Sequence, residues 1–397
     1  MRLLHTSDWH LGITLSERSR RDEMTAFLSF LRDTINTRSV DTLIISGDIY
    51  DTAVPSNEAQ NMYYDFLSSL KDTCCRDVVV IAGNHDSPTM LSASAAVLRR
   101  LNIHVYSSVV NLEPLVLEDR GIILPIPFPR DSEIRRAQLS ETIEEGQDRL
   151  KVAIASLYRD MYEKAEALNL NLPIIATGHL SVASASSDGE KNKELYLGGL
   201  GTVDTGIFDS GLSYVALGHI HKPQKLNGKG TIRYSGSPIA MTFDEAKYTK
   251  SVVIADCSYG EETTVETVEV PVERELITVR GDAGTVKKEV RRLRDEKRKG
   301  WVSILLTSPE GAATIREEAD EILSGSELEV LISRNTAEGE RLREESGSVR
   351  ELSSMTEEDV FDALLEGEHY SGERKEKMLS LFREVMRQVD GGDGDEN

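Results

Sequence analysis

Five short apolar runs in this chain end on the same kinds of residue, and that repetition limits the fold more than any other feature. Leu3-Leu4-His5-Thr6-Ser7 runs into Asp8-Trp9-His10, and Leu43-Ile44-Ile45-Ser46 into Gly47-Asp48. Val78 to Ala82 leads to Gly83-Asn84-His85-Asp86, Ile174 to Thr177 to Gly178-His179, and Tyr214 to Leu217 to Gly218-His219-Ile220-His221. Such runs have the length of strands buried on both faces. In open α/β sheets the carboxyl ends of the strands border the ligand crevice, so five segments would bring Asp, Asn and His to one place.

The rest of the first 270 residues keeps the alternation of strand and helix that defines an α/β domain. Further strands are predicted at Ile103 to Tyr106, Ile122 to Pro125 and Val252 to Ala255. Met24, Phe27, Leu28 and Leu31 recur at helical spacing, as do Met62, Phe66 and Leu70, and Glu133 to Leu168 reads as a helix interrupted at Gly146. A boundary falls near Pro271, after which residues 271–334 read as strand, helix, strand, helix, strand, a small α+β module. Residues 335–355 have the polar composition of a linker. Two short amphipathic helices are predicted within 356–390, and the acidic, glycine-containing tail 391–397 is expected to be disordered.

Asp8, His10, Asp48, Asn84, His179, His219 and His221 supply oxygen and nitrogen donors without a thiolate. Asp8 with His10, and His219 with His221, are spaced to share one side of an extended backbone. Seven donors are too many for one ion but suit two divalent ions if one carboxylate bridges them, and Asp48 is the natural bridge. Two metals held in this way serve phosphoester hydrolysis. The donor types allow Mn, Fe or Zn and do not choose among them. His5, His104 and His369 lack this context and read as structural. Three cysteines with no CxxC spacing support neither a disulfide framework nor a thiolate site, which fits a reduced cytoplasmic setting. Neither a signal peptide nor an apolar run of membrane-spanning length is seen, so no membrane association is expected.

DWH, GDIYD, GNHD, GH and GHIH, in this order, resemble the signature of the calcineurin-like metallophosphoesterase superfamily. The contexts ISGDIYDTAVPS, AGNHDSPTMLSAS, ALGHIHKPQ and YSGSP are most similar to the bacterial branch of its double-strand-break repair nucleases. The match is specific over roughly the first 270 residues and extends only to general layout thereafter. It implies a four-layer αββα sandwich with a small α+β capping domain and C-terminal helices. It also implies two Mn2+ ions, with Mg2+ or another divalent ion as substitutes. Asp8, His10, Asp48 and His221 would hold one, and Asp48, Asn84, His179 and His219 the other. His85 would protonate or stabilise the leaving oxygen, with Asp86 orienting its ring. Archaeal relatives carry a histidine where this chain has Asp51, so a second catalytic histidine is not expected there. The resemblance further implies a coiled-coil ATPase partner gripped by the last helices, a heterotetramer, and a cytoplasmic, nucleoid-associated location. The homodimer contact would use the helices after GDIYD and GNHD. Met62, Phe66 and Leu70 would then face a second copy of the chain, although the sequence supports their own core equally well.

The formal net charge of -22 bears against nucleic acid, whose phosphates are held mainly by Lys and Arg. One basic island, Lys287 to Lys299, has eight basic and three acidic residues. Within it Lys287, Lys288, Arg291, Arg292 and Arg294 are candidate DNA contacts, with Arg18, Arg20 and Arg21 as a second set. The alternative for the island is a solvated helix face of mixed-sign pairs. Three functions are compatible with these residues. The first, in the form the resemblance implies, is a metal-dependent nuclease that degrades duplex ends 3'–5' and cuts single strands and hairpins under ATP control, although the residues themselves reveal neither the polarity nor how ATP acts. The others are a metallophosphatase or nucleotide phosphodiesterase on the same fold, and an architectural DNA-end-binding subunit. The complete ligand set speaks against the last, and the additional C-terminal modules against the second.

Overall fold

Strand Arg2–Thr6 lies near the middle of a six-stranded sheet, paired in parallel with Thr42–Ser46 on one side and antiparallel with Ser251–Asp256 on the other. Beyond these come Asp77–Ile81 and Ile103–Tyr106 on the parallel side and Thr264–Glu269 at the opposite edge. The second six-stranded sheet has a parallel centre of Gly121–Leu124, Ile174–His179, Tyr214–Gly218 and Ile232–Tyr234, with an antiparallel strand at each edge. The computed structural model describes residues 1–130, 133, 143–183, 202–335, 365 and 375–382. The tail and most of the expected linker and last helices lie outside these residues, as does His369. Residues 375–382 are helical, and Leu365 is buried.

The two-residue repeat of the strands explains why their apolar runs are unbroken. Leu4, Leu43, Ile45, Val78 and Val80 face helices Arg21–Thr37 and Asn57–Ser69, where Met24, Phe27, Leu31, Tyr63 and Phe66 complete one core. Ile122, Leu124, Ala176 and Leu217 face helix Ile143–Ala167, through Ile154, Tyr158 and Met161. The intervening residues of both sheets, Leu3, Ile44 and Val79 with Ile123, Ile175 and Ala216, form a single further cluster. The result is an α/β fold of two mixed sheets with helices.

Helix Ile143–Ala167 runs through Gly146 without the expected break, at the modest cost of roughly 1 kcal/mol that glycine imposes inside a helix. Phe66 and Leu70 are buried in their own core, and Met62, half-buried, packs against it. Glu275–Gly281, Gly300–Leu306 and Leu328–Asn335 form a parallel sheet covered by helices Ala283–Asp295 and Ile315–Leu323. Among the described residues no helix is long and apolar enough to cross a membrane.

Candidate metal centre

The five strand ends converge. Parallel Arg2–Thr6, Thr42–Ser46 and Asp77–Ile81 deliver Asp8 with His10, Asp48 and Asn84 from one sheet, while Ile174–His179 and Tyr214–Gly218 deliver His179, His219 and His221 from the other. The chain leaves three of the five strands, Arg2–Thr6, Thr42–Ser46 and Tyr214–Gly218, through tight, unusual backbone. Asp8, His10, Asp48 and His219 have φ of 54°, 47°, 51° and 98°, a region that costs a non-glycine residue about 1–3 kcal/mol and is found mostly at functional sites. Glycine is required where these ends meet. A Cβ on Gly83 would lie 2.1 Å from Asp48 Oδ1, and one on Gly47, at φ +87°, would lie 2.2 Å from His179 Nδ1.

The seven side chains form one chain of contacts. Asp8 Oδ1 accepts from the His219 main-chain nitrogen at 2.8 Å, and His219 Nδ1 lies 3.1 Å from Asn84 Oδ1. Asn84 Oδ1 is 3.0 Å from His179 Nε2, which is 3.2 Å from Asp48 Oδ2. Asp48 Oδ2 is in turn 3.6 Å from His10 Nε2, itself 3.2 Å from His221 Nε2. Asp8, His10 and His221 make one group of metal-ligand type and Asp8, Asp48 and His179 another, with the ligand atoms of each within 4.8 Å of one another. Asp8 is completely buried.

This arrangement fits divalent cations. Two imidazole nitrogens 3.2 Å apart have the spacing of adjacent ligands on an ion with bonds of about 2.1 Å. His179 Nδ1 donates to the Ser46 carbonyl at 2.8 Å, which reserves its Nε2 lone pair for coordination. Burial opposes ionisation of Asp48, yet His179, His10 and His85 around it hold its carboxyl well below the usual carboxylate range. Burial and the neighbouring His179 push His219 down to about 3, so it is neutral, the form that ligates metals. His179 is itself buried, but Asp48 raises it to about 9.

His85 sits at the rim, its ring edge-on to His10 with centroids 4.8 Å apart and its Nδ1 2.8 Å from the Asp51 carbonyl oxygen. The orienting partner expected of Asp86 is therefore a main-chain carbonyl. Asp86 does something else. Its buried carboxylate accepts from the nitrogens of Ile49, Tyr50 and Gly83 at 3.1, 3.0 and 2.8 Å, tying together the two loops that carry Asp48 and Asn84. Asp51 Oδ1 is 3.5 Å from His10 Nδ1.

The basic candidates are not gathered at the centre. Arg20 is 2% exposed, paired with Glu23 at 2.8 Å and donating to the Ala240 carbonyl, so it is a structural ion pair and not a phosphate contact. Arg18 pairs with Glu329 and Arg21 with Glu58. On helix Ala283–Asp295, Lys287 pairs with Glu318, Arg292 with Glu289 and Glu296, and Arg294 with Asp295, while Lys288 and Arg291 are exposed. Glu245, which sequence reasoning missed, lies 3.1 Å from His221 Nδ1. Its only signal in the sequence was proximity to the YSGSP stretch.

Residues 1–223 match the model of the calcineurin-like phosphoesterases, and residues 272–369 that of the Type 5 capsule protein repressor C-terminal domain. The fold and the clustered His and Asp side chains thus define a metallophosphoesterase of the calcineurin-like class. The chain is 34% identical to the SbcD subunit of the SbcCD nuclease of Escherichia coli K12, over 98% of its own length and 99% of that protein's. It is 36% identical to the corresponding Bacillus subtilis protein over 68% and 69%, and 34% identical to that of Rhodobacter capsulatus over 66% and 67%. Within the class, this chain belongs to the SbcD family.

Proposed function

We propose that this chain is the DNA-hydrolysing subunit of an SbcCD-type complex. It degrades duplex ends 3'–5' and cuts single strands and hairpins, with ATP control exerted through an SbcC-type coiled-coil ATPase. The observation that carries this reading is Asp48 Oδ2, set between His10 Nε2 at 3.6 Å and His179 Nε2 at 3.2 Å, where one carboxylate oxygen faces both ligand groups. Asp8, His10, Asp48 and His221 would hold one ion, and Asp48, Asn84, His179 and His219 the other. Mn2+ is the expected occupant and Mg2+ a substitute. When bound, such a pair would supply activation of water and neutralisation of the phosphoryl charge.

The chain's own groups supply orientation and a proton. His85 donates from Nδ1 to the Asp51 carbonyl, which fixes the ring, and as an imidazolium it carries a second proton on Nε2 to pass to the leaving oxygen, becoming neutral imidazole. Asp86 acts on catalysis only through the loops it ties.

The domain assignment follows the same reading: residues 1–270 form the nuclease domain and 271–334 the DNA-capping domain. Residues 335–355 are a linker, 356–390 grip the base of the ATPase coiled coil and 391–397 are a tail. The three apolar clusters favour a four-layer αββα arrangement in the first domain. The family resemblance favours a homodimer, a heterotetramer with the ATPase and a cytoplasmic, nucleoid-associated location.

The test incubates the protein with Mn2+ or Mg2+ and labelled duplex and hairpin DNA beside a generic phosphomonoester, with His85→Ala as control. DNA cleavage that depends on metal and on His85 is expected. Phosphate release from the monoester without DNA cleavage, even with the ATPase present, would sink the nuclease reading in favour of a metallophosphatase.

A further inference from the structure

We propose that Glu245 is a positioning residue for the metal ion held by Asp8, His10, Asp48 and His221, and that Lys250 is its buried counter-charge. The inference rests on the two-metal reading above. His221 presents Nε2 toward His10, and its other nitrogen is 3.1 Å from Glu245 Oε1. By accepting the Nδ1 proton, the carboxylate fixes the tautomer in which Nε2 carries the lone pair, and it makes that lone pair more basic. His179 obtains the same tautomer from a neutral carbonyl, that of Ser46. The two ligand groups therefore differ in the partner behind a key histidine: the first has an anion, the second has none at that place.

The surroundings of Glu245 are built to hold it. Its Oε2 accepts from Lys250 Nζ at 2.7 Å, from Ser237 Oγ at 3.3 Å and from the Met241 nitrogen at 3.2 Å. Lys250 Nζ also donates to the His221 carbonyl at 3.0 Å and to Ser237 Oγ at 2.7 Å. One ammonium thus grips both the backbone of the ligand and the carboxylate behind its ring. Residues Tyr234 to Ser237 pass so close beneath His221 that a Cβ on Gly236, at φ +76°, would lie 2.7 Å from the His221 carbonyl oxygen. The YSGSP stretch is thereby given a role: it brings Ser237 and the loop bearing Glu245 under this one histidine.

The experiment titrates the metal-stripped full chain with Mn2+, by calorimetry and by electron paramagnetic resonance of bound ion. Wild type should take two ions. Glu245→Gln, nearly isosteric and uncharged, should weaken one of them by about 10–100-fold and spare the other, with Glu245→Asp recovering part of the loss. In a His10→Ala background, where the affected ion is already lost, Glu245→Gln should change nothing further. Unchanged affinities, or both ions weakened alike, would overturn the proposal. Failure of wild type to bind two ions would instead overturn the two-metal reading beneath it.

Discussion

The main-chain nitrogen of His85 donates to Asp48 Oδ1 at 2.9 Å, so the proposed proton donor hangs from the proposed bridging carboxylate. One oxygen of Asp48 holds the loop and the other faces His10 and His179. Asp48→Asn cannot serve both sides, because either its NH2 group meets the His85 N–H or it replaces the oxygen between the histidines. Mn2+ titration of this variant should show loss of both tight ions, and DNA cleavage should fall by more than the roughly 100-fold that an outer-sphere change costs.

Substitution of His85 separates proton delivery from metal binding. His85→Ala should retain both Mn2+ ions yet cleave DNA about 10²–10⁴-fold more slowly, the usual worth of a general acid. A phosphodiester with a nitrophenolate leaving group, which needs no proton, should be hydrolysed at close to the wild-type rate. Equal losses on both substrates would remove the proton-donor role.

The sequence announced the strand ends because a ligand must sit at or just after the end of its strand: His179 is the last residue of its own, and Asp8, Asp48, Asn84 and His219 follow theirs within three residues. Buried strands such as Val78–Ile81 were equally legible, since both faces must be apolar. Short edge strands such as Gln224–Lys225 and Leu115–Leu117 were not, since pairing alone defines them. Glu245 was hidden for a related reason: it reaches His221 from 24 residues further along the chain, past two short strands, where no periodicity points. Arg20 misled in the opposite direction. Its charge suggested solvent, but Glu23 on the next helical turn and the Trp301 ring, 5.4 Å away, enclose it.

Asp86 is predicted to act on the fold. Removing its carboxylate in Asp86→Ala would orphan the buried N–H groups of Ile49, Tyr50 and Gly83, each costing about 1–3 kcal/mol. Thermal unfolding should shift down sharply both with Mn2+ and in chelator. A variant with unaltered melting but a displaced pH–rate profile would return Asp86 to the role of orienting His85.

His5 makes the metal-free protein sensitive to acid. Its ring is fully buried beside Tyr214, and burial lowers it from an ordinary 6.5 to about 3. Unfolded chains bind this proton below pH 6.5 while the folded protein does not, so stability falls as pH drops from 6.5 toward 3, by up to roughly 1.4 kcal/mol per pH unit. His5→Gln abolishes that slope. Urea midpoints in chelator should therefore show wild type ahead by most at about pH 8, with the gap narrowing at about pH 5. A constant gap would show that His5 does not titrate with folding.

The DNA-facing charge of the capping module should be narrower than its basic island suggests. Arg292 is already shared between Glu289 and Glu296, Arg294 leans on Asp295, and Lys287 is held by Glu318 at 2.8 Å. A phosphate would have to compete with a carboxylate at each. Lys288 and Arg291 are exposed, and the carboxylates that feel their charge, Glu289 and Glu318, are already paired with Arg292 and Lys287. Reversing these two charges should reduce the salt dependence of duplex binding by up to about 0.9 per lost phosphate contact, whereas Arg292→Glu should leave it nearly unchanged. Arg20→Ala provides the contrast: it should lower the melting temperature, since buried Glu23 would keep only Arg274, 3.6 Å away, as its cation, while the salt slope stays as in wild type. An unaltered slope in the Lys288 and Arg291 double reversal would mean that this helix face is solvated, and that DNA is held elsewhere on an otherwise acidic surface.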